Sequence, residues 1–278
     1  MFERAIAEME AHEKLAFGPV SFRNYVRGTA DEGALPAPWI AKDSLDSLAP
    51  ELRRANTMVF RLGSPLGEKH THFALAKYIS DWSDYFLLDK ILFQDTAPQF
   101  FLPSVAADAL FAFRVFPKMT ESSIVNLAVA TGLLGTALAL DYPNQVVIPA
   151  TGMSTFTFSV IPHTKIGISW NHTKGQVEID AVFVGMRQRR PSLFVVEAKF
   201  GVRSTSIAKH KLAYSALAMK TTTPPHLPIV PVYLRAFRVA EDLHYQVCEC
   251  EPIEIGSKSL VIADIKPTRT VHLLLRGY

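Results

Sequence analysis

The stretch VEIDAVFVGMRQRRPSLFVVEAKFG, from Val177 to Gly201, decides the fold. It consists of two apolar runs separated by a short basic segment, which is the pattern of a β-hairpin. Each run also contains acids, and the second run ends in Glu-Ala-Lys. A carboxylate among Val and Phe side chains needs a partner for its charge. The acids therefore predict a site built into the hairpin.

A symmetric hairpin with a loop over residues 185–192 places Asp180 opposite Glu197 and Glu178 opposite Lys199. Directly opposed side chains have Cβ atoms about 4.5–5.5 Å apart, so two carboxylates there repel each other. A divalent cation between them reverses the sign of this interaction, and Mg²⁺ prefers oxygen ligands. The hairpin therefore predicts a Mg²⁺ ion held by Asp180 and Glu197, with Lys199 beside it.

Asp180, followed on the next strand by Glu197-Ala198-Lys199, resembles the motif of the PD-(D/E)XK nuclease superfamily. The resemblance implies a restriction endonuclease-like fold and a Mg²⁺-dependent phosphodiesterase site. Many members also carry a Glu on the helix before the sheet, and Glu121 matches that place. The resemblance thus implies four catalytic residues: Asp180, Glu197, Lys199 and Glu121. It covers roughly residues 120–237.

In the same superfamily, the helix after the Lys often carries a basic or amide residue near the site. Here KHKLAY offers Lys209, His210 and Lys211, with Tyr214 one turn beyond His210. The helicase-associated branch has Gln-x-x-x-Tyr at this place, whereas this chain has His instead of Gln. We expect a nucleic-acid-binding surface that comprises Arg203, Lys209, His210, Lys211 and the hairpin cations Arg187, Arg189 and Arg190.

A second (Asp/Glu)-x-Lys occurs at Asp264-Ile265-Lys266, in SLVIADIK, which reads as the end of a strand. No clear helix follows it before Tyr278. The copy at Glu197 has the helix, hairpin, acids and second helix in order. Each charge in the hairpin, taken alone, could also be an ordinary ion pair or turn cap, and Glu121 could be a first-turn acid favoured by the helix dipole.

The element pattern predicts an α/β (α+β) fold with a mixed β-sheet covered by helices on both faces. Helices are expected at about 120–140 and 205–220. Strands are expected in STFTFSVI, KIGISW, IVPVYLRAF, LHYQVCEC and SLVIADIK, besides the hairpin. Residues 116–278 would form the nuclease domain, with Pro117 near the boundary. Residues 1–115 would be an extra, mostly helical region, because the apolar residues in 73–93 follow helical spacing. This region could serve DNA recognition or dimerisation.

Composition sets limits on partners. The 278 residues carry a formal charge of +3, so any nucleic-acid surface must be local. Cys248 and Cys250 are expected to be packing residues, and so few cysteines fit a reducing compartment, here the cytoplasm. The uncharged residues 124–140 are short of the ~20 that span a bilayer, so a buried helix is expected and no membrane partner. The chain lacks a P-loop motif, so we expect no nucleotide cofactor.

These observations lead us to expect a Mg²⁺-dependent endodeoxyribonuclease that acts on double-stranded DNA. A restriction-type enzyme is expected by analogy, since the N-terminal region could read sequence. Cleavage of both strands of a duplex would favour a homodimer. The alternatives are a repair or junction-resolving nuclease, and a non-catalytic nucleic-acid-binding protein that retains the fold.

Overall fold

The computed structural model describes residues 1–65, 67–115, 118–203, 205–253 and 259–277. Pro117, at the expected domain boundary, lies outside the described residues. The α-helices are α1 Glu3–Ala11, α2 Phe22–Val26, α3 Ala37–Ile40, α4 Pro50–Arg54, α5 Asp89–Leu92, α6 Ala112–Val115, α7 Glu121–Ala130, α8 Leu133–Ala137 and α9 Lys209–Lys220. The strands are β1 Ala16–Ser21, β2 Thr57–Gly63, β3 His72–Lys77, β4 Phe86–Leu88, β5 Gln99–Phe100, β6 Ala150–Ile161, β7 Trp170–Arg187, β8 Arg190–Phe200, β9 Ser206–Ala208, β10 Ile229–Val239, β11 Asp242–Cys250, β12 Leu260–Val261 and β13 Pro267–Leu275.

Eleven of these strands form one large mixed sheet within the described ranges. Its main path runs β1-β3-β2-β7-β8-β10-β11-β13-β5, while β6 pairs with β7 and β12 pairs with β6. β7 and β8 are antiparallel, whereas β8 and β10 are parallel. Parallel neighbours need a crossover connection, and α9 supplies it. The mixed α/β sheet expected from the sequence is confirmed.

Helices cover both faces of this sheet. Along β8, Val195 belongs to a core that includes the α9 residues Leu212 and Leu217. Its neighbours Phe194 and Val196 belong to a second core, which includes residues of α7 and α8. Because side chains alternate between faces along a strand, the apolar run of β8 serves both cores at once. This explains why its sequence is apolar almost throughout.

The hairpin turn is tighter than the expected loop. The ladder runs from Ala181–Val196 to Arg187–Arg190, which is the predicted register. Only Gln188 and Arg189 remain outside it, and their φ angles are 51° and 61°. Two central residues with positive φ match a type I′ turn, whose twist suits a two-residue hairpin. The loop predicted over residues 185–192 is therefore wrong at both ends, since both strands continue into it.

The helix expected over residues 120–140 is divided into α7 and α8. Gly132 lies between them with a φ of +79°, and a Cβ there would be 2.1 Å from Asn144 Oδ1. A glycine at this place permits the left-handed turn and the close contact. Within the described residues no helix is long and apolar enough to span a membrane.

The helix suggested by the spacing in residues 73–93 is wrong. His72–Lys77 is strand β3, which lies between β1 and β2, and Phe86–Leu88 is strand β4. Phe73, Leu75 and their neighbours are buried on both faces, so the strand shows no alternation. A fully buried strand cannot be distinguished from a buried helix by periodicity alone.

The N-terminal region shares a core with the rest of the chain. Its strands join the main sheet where Gly63 pairs with Thr173. A Cβ on Gly63 would be 2.3 Å from the Thr173 carbonyl oxygen, so this junction requires glycine. Farther along β2, the ring of Phe60 lies 5.4 Å from Trp170 and 5.7 Å from His210. The N-terminal strands therefore contribute to the surroundings of α9.

Two predicted strands are shorter than expected. In SLVIADIK, only Leu260–Val261 is a strand, and Ile262–Asp264 forms a 3-10 turn. In KIGISW, only Trp170 is in a strand, since β7 begins there. Both segments connect longer strands and contribute buried apolar residues to the core, whereas Ile168 is exposed. Ile262 and Trp170, for example, are both buried.

Candidate functional site

Four separate elements bring charged side chains together around Lys199. Its Nζ lies 3.3 Å from Glu197 Oε1 on the same strand and 3.3 Å from Glu121 Oε1 on α7. It also lies 3.9 Å from Asp43 Oδ2, in the segment after α3. Burial lowers the pKa of Lys199, but these three acids and the nearby Asp180 on β7 together raise it by more. Lys199 is therefore a cation at neutral pH.

Glu197 is the most buried acid of the cluster, with 2% of its surface exposed. Its Oε1 is 3.3 Å from Lys199 Nζ and 3.2 Å from Lys211 Nζ on α9. Burial raises the pKa of Glu197, and the nearby Asp180 carboxylate raises it further, while the two lysines oppose the shift. The carboxylate is thus fixed in position between two cations.

Asp180 lies where the strands of the hairpin separate. The ladder ends at Ala181–Val196, and the Asp180 Oδ2 accepts a hydrogen bond of 2.7 Å from the Ala198 N–H. On the other edge of β7, the pairing with β6 shifts, so that Asp180 and Ala181 lie opposite the single residue Thr151. A bulge of this kind re-aims a side chain and ends regular pairing. The carboxylate therefore turns toward the Glu197 strand without a direct ladder partner.

Glu121 is the first residue of α7, as the sequence predicted. Thr120 caps the helix, with its Oγ1 accepting a hydrogen bond of 3.1 Å from the Ser123 N–H. Burial raises the pKa of Glu121, Lys199 opposes that shift, and the Asp180 carboxylate adds to it. The influence of Asp180 on both Glu121 and Glu197 indicates that the four residues form one electrostatic group.

The cluster differs from the expected one in its partners. Glu178 does not lie opposite Lys199: it pairs with Met153 on β6 and is exposed. Asp43 was missed entirely. Its carbonyl accepts a hydrogen bond of 2.8 Å from the Ala208 N–H, which fixes the segment beside α9. No local pattern could have shown this, because the contact joins the N-terminal region to a helix far along the chain.

The expected nucleic-acid-binding residues are divided by burial. Lys209 is 6% exposed and donates to the Ala263 carbonyl, and His210 is 4% exposed, so neither lies on an accessible surface. Burial also lowers the pKa of His210 to about 3, which leaves the ring uncharged. Lys211 is partly exposed beside Glu197, and Arg203 is exposed.

The hairpin cations lie far from Lys199. Arg190 is nine residues before it along β8, which corresponds to about 30 Å of strand. Arg187 Nη1 binds both carboxylate oxygens of Glu249 at 2.7 Å, and its guanidinium lies over the Phe194 ring. Arg187 is therefore part of the structure of the sheet. Arg189 and Arg190 are exposed at the turn.

The second copy of the motif lies elsewhere. Asp264 ends a 3-10 turn and Lys266 follows it, and both side chains are exposed. Both charges influence the pKa of the buried Lys209. They do not contact Glu197, Lys199 or Glu121 through any ion pair in the described part of the chain. The two copies of the motif therefore lie at different places in the fold.

The donor atoms of the cluster suit a hard cation, since Asp180 and Glu197 offer only carboxylate oxygens. Among the described residues, however, no group of three or more His, Cys, Asp or Glu is arranged to hold a metal by itself. Mg²⁺ is commonly bound through one or two carboxylates, with water and phosphate oxygens completing its shell. The residues therefore fit Mg²⁺ only together with ligands from outside the chain.

A family model matches residues 104–251, which include α7, the hairpin, α9 and both lysines of the cluster. The match omits Asp43 and the strands of the N-terminal region. No curated protein and no solved structure shows significant similarity to the chain. Since the matched segment is more than half of the sequence, the chain belongs to the family described as Domain of unknown function (DUF6997).

Proposed function

We propose that the protein is a Mg²⁺-dependent endodeoxyribonuclease of the PD-(D/E)XK type. The observation that carries the proposal is the grouping of Asp180, Glu197, Lys199 and Glu121 at one place in the sheet. The element order α7-α8-β6-β7-β8-β9-α9-β10 supports it, because it contains the helix, hairpin and second helix that the resemblance implies. A restriction endonuclease-like core is part of this proposal.

Asp180 and Glu197 would hold the Mg²⁺ ion, which when bound lowers the pKa of a water and stabilises charge on the phosphate. Lys211 and Lys199 hold the Glu197 carboxylate in place, so little reorganisation is needed when substrate arrives. The raised pKa of Lys199 suits it to donate hydrogen bonds to a phosphate oxygen, and makes it a poor proton acceptor. Glu121 keeps Lys199 oriented.

The direct test is incubation of supercoiled plasmid with the purified full chain, with Mg²⁺ or with EDTA, followed by gel electrophoresis. We expect nicked and linear products that require Mg²⁺. Intact plasmid under all conditions, together with retained DNA binding, would instead support a non-catalytic nucleic-acid-binding protein. That alternative has some support, since each of Glu197 and Glu121 already has a lysine partner.

A restriction-type enzyme and a repair or junction-resolving nuclease would share this site. They differ in the DNA they require, since restriction depends on sequence and junction cleavage on shape. Linear duplexes of varied sequence and a synthetic four-way junction, offered in the same assay, would separate them. A homodimer would be expected if both strands of a duplex are cut at one place.

As the pH is lowered, the rate of cleavage should begin to fall at a higher pH than it would if Glu197 had the pKa of an ordinary glutamate. Glu197 must be a carboxylate to bind Mg²⁺, and burial raises its pKa in the metal-free protein, so at Mg²⁺ concentrations below saturation the rate declines as the pH drops through that raised value. Lys211 lowers this pKa, so Lys211→Met should move the acidic limb of the pH–rate profile to higher pH. Lys165→Met, an exposed lysine before β7, is the matched control and should leave the limb in place.

Binding of duplex DNA, measured with Ca²⁺ in place of Mg²⁺, should weaken steeply as salt rises. Each phosphate contact contributes about −0.9 to the slope of log K against log[salt]. Arg203 is exposed close to the end of β8, so Arg203→Gln should make the slope shallower by about 1. Lys165→Gln should leave the slope unchanged. A wild-type slope near zero would contradict a surface that follows phosphates.

A further inference from the structure

A cavity of about 170 Å³ lies between α9, β7, β2 and the segment after α3. Its lining includes Asp43, Arg61, His172, His210, Lys211 and Tyr214. Asp43 and Lys211 also contact the cluster around Lys199 and Glu197, so the cavity opens beside that cluster. A cavity of about 150 Å³ can hold a benzene ring, so this one has room for one six-membered ring. A ligand with two fused rings would place its second ring in the mouth of the cavity.

Aromatic rings form one side of the cavity. His172 stacks on Phe158, with ring centroids 4.4 Å apart and an angle of 6° between the planes. Tyr214 lies 4.9 Å from His172 and 5.3 Å from His210. Gly175 permits this packing, because a Cβ there would be 2.2 Å from His172 Cε1. The rings of His172, His210 and Tyr214 are almost fully buried, so they form a rigid aromatic wall that leaves only a small part of its surface for contact with a flat ligand.

Both histidines have a buried ring nitrogen without a partner. The Nδ1 atoms of His172 and His210 make no hydrogen bond to any described residue. Burial lowers the pKa of His172 to about 4 and that of His210 to about 3, so both rings are neutral at pH 7. A buried polar atom left unpaired is costly and calls for a water or a ligand.

Arg61 places a guanidinium in the lining of the cavity, and no carboxylate among the described residues pairs with it. Its carbonyl accepts a hydrogen bond of 3.2 Å from the Tyr214 hydroxyl. Its guanidinium is half-buried, burial lowers its pKa, and no carboxylate opposes that shift. Among the described residues, no ion pair or hydrogen bond to the guanidinium is found. Arginine offers only donors, in a planar fork that fits two adjacent acceptors.

The aromatic wall favours a flat ligand, and the fork of Arg61 favours one with two adjacent acceptors. Guanine presents such a pair in O6 and N7, for which arginine is the usual partner, whereas adenine presents a donor beside N7. Guanine also carries an amino group, for which the Asp43 carboxylate is a suitable acceptor. A base can enter such a cavity only when it is unpaired or turned out of the duplex.

We propose that this cavity binds one guanine base of the nucleic acid whose backbone lies at the Lys199–Glu197 cluster, and that Arg61 selects it. The assignment of the base to a nucleic acid rests on the proposed nuclease function. The lining of the cavity bears only on which base is bound, and not on the molecule to which that base belongs. Substrates would then be strands with an unpaired or extruded guanine next to the phosphate that is cut.

The test is calorimetric titration of the metal-free full chain with dGMP, dAMP, dCMP, dTMP and deoxyribose 5-phosphate. We expect dGMP to bind about tenfold more tightly than the other three nucleotides, since a bidentate arginine contact discriminates by about this factor or more. Arg61→Gln and Arg61→Lys should both remove the preference, because neither side chain has the fork. Arg53→Gln, an exposed arginine on α4, is the matched control and should keep it.

Equal binding of deoxyribose 5-phosphate would show an anion site and would overturn the inference. Equal affinity for all four nucleotides, or no binding of any, would overturn it as well. A second arm compares duplexes that carry one extrahelical guanine or adenine, which separates a base within a strand from a free nucleotide. Mg²⁺-dependent plasmid cleavage without guanine preference would end this inference and leave the proposed function standing. Guanine binding without Mg²⁺-dependent cleavage would support this inference and contradict the proposed function.

Discussion

Asp180→Asn and Glu197→Gln are each expected to lower the rate of Mg²⁺-dependent DNA cleavage by at least about 10²–10³-fold, the loss typical of removing one hydrogen-bond donor that stabilises a transition-state charge. Each change keeps the size of the side chain and removes its charge. In Asp180→Asn, the amide oxygen of the new side chain can still accept from the Ala198 N–H, so the local fold should persist. The measurement is single-turnover cleavage of a labelled duplex, with circular dichroism to verify folding.

The second copy of the motif provides matched controls for this experiment. Asp264→Asn and Lys266→Gln alter exposed residues outside the cluster, so both variants should cleave at the wild-type rate. Glu121→Gln should show a smaller loss than the two ligand variants, because Glu121 acts on Lys199. Full activity in Asp180→Asn, or a loss in Asp264→Asn with normal folding, would mean that the chemistry does not belong to the copy at Glu197.

The structure also changes the reason for the stability that is expected of these variants. Two opposed carboxylates alone would repel each other, and removal of either would then leave the metal-free protein as stable or slightly more so. Glu197, however, lies between Lys199 and Lys211. Glu197→Gln leaves these two ammonium groups without their shared acid, but it also removes a buried charge whose cost raises the pKa of Glu197, so the two effects oppose each other. Both Glu197→Gln and Asp180→Asn should therefore unfold at nearly the same denaturant concentration as the wild type.

The sequence predicted the hairpin and its register because the strands alternate acids with apolar residues around a short turn. It could not predict the bulge at Asp180, since the bulge depends on the pairing of β7 with β6. The same limit explains why the sequence did not reveal Asp43 and Arg61, because their contacts are with residues far along the chain. Arg61 gave a faint signal, as a charge within the apolar run MVFRLG of β2.

The N-terminal region shows a different limit. The predicted helix in residues 73–93 was wrong because β3 is buried on both faces, and burial removes the alternation that identifies a strand. The consequence for the site is direct: the region that seemed separate supplies Asp43 to the cluster and Arg61 to the cavity. Reading the motif alone would place the whole site in residues 120–237.

Lys199→Met is expected to stop cleavage and also to make the stability of the protein depend on divalent cations. Lys199 has a folded-state pKa above its unfolded value, so its charge stabilises the fold at pH values below the unfolded pKa of about 10.5. Without that charge, Glu121, Glu197 and Asp180 face each other with only Lys211 nearby. We expect a loss of roughly 3 kcal/mol at pH 7, the lower end for a broken buried pair, because Lys211 still offsets Glu197.

Mg²⁺ or Ca²⁺ should restore this loss if the carboxylates bind a cation, because a ligand that binds only the folded state stabilises it. Denaturant unfolding with and without Ca²⁺ should therefore show a larger cation effect in Lys199→Met than in the wild type. Lowering the pH toward 5 should restore stability as well, since the raised pKa values of Glu121 and Glu197 let protons replace the missing charge. Lys165→Met should respond like the wild type. Recovery by acid but not by Ca²⁺ would mean that the acids form an ion-pair cluster that binds no metal.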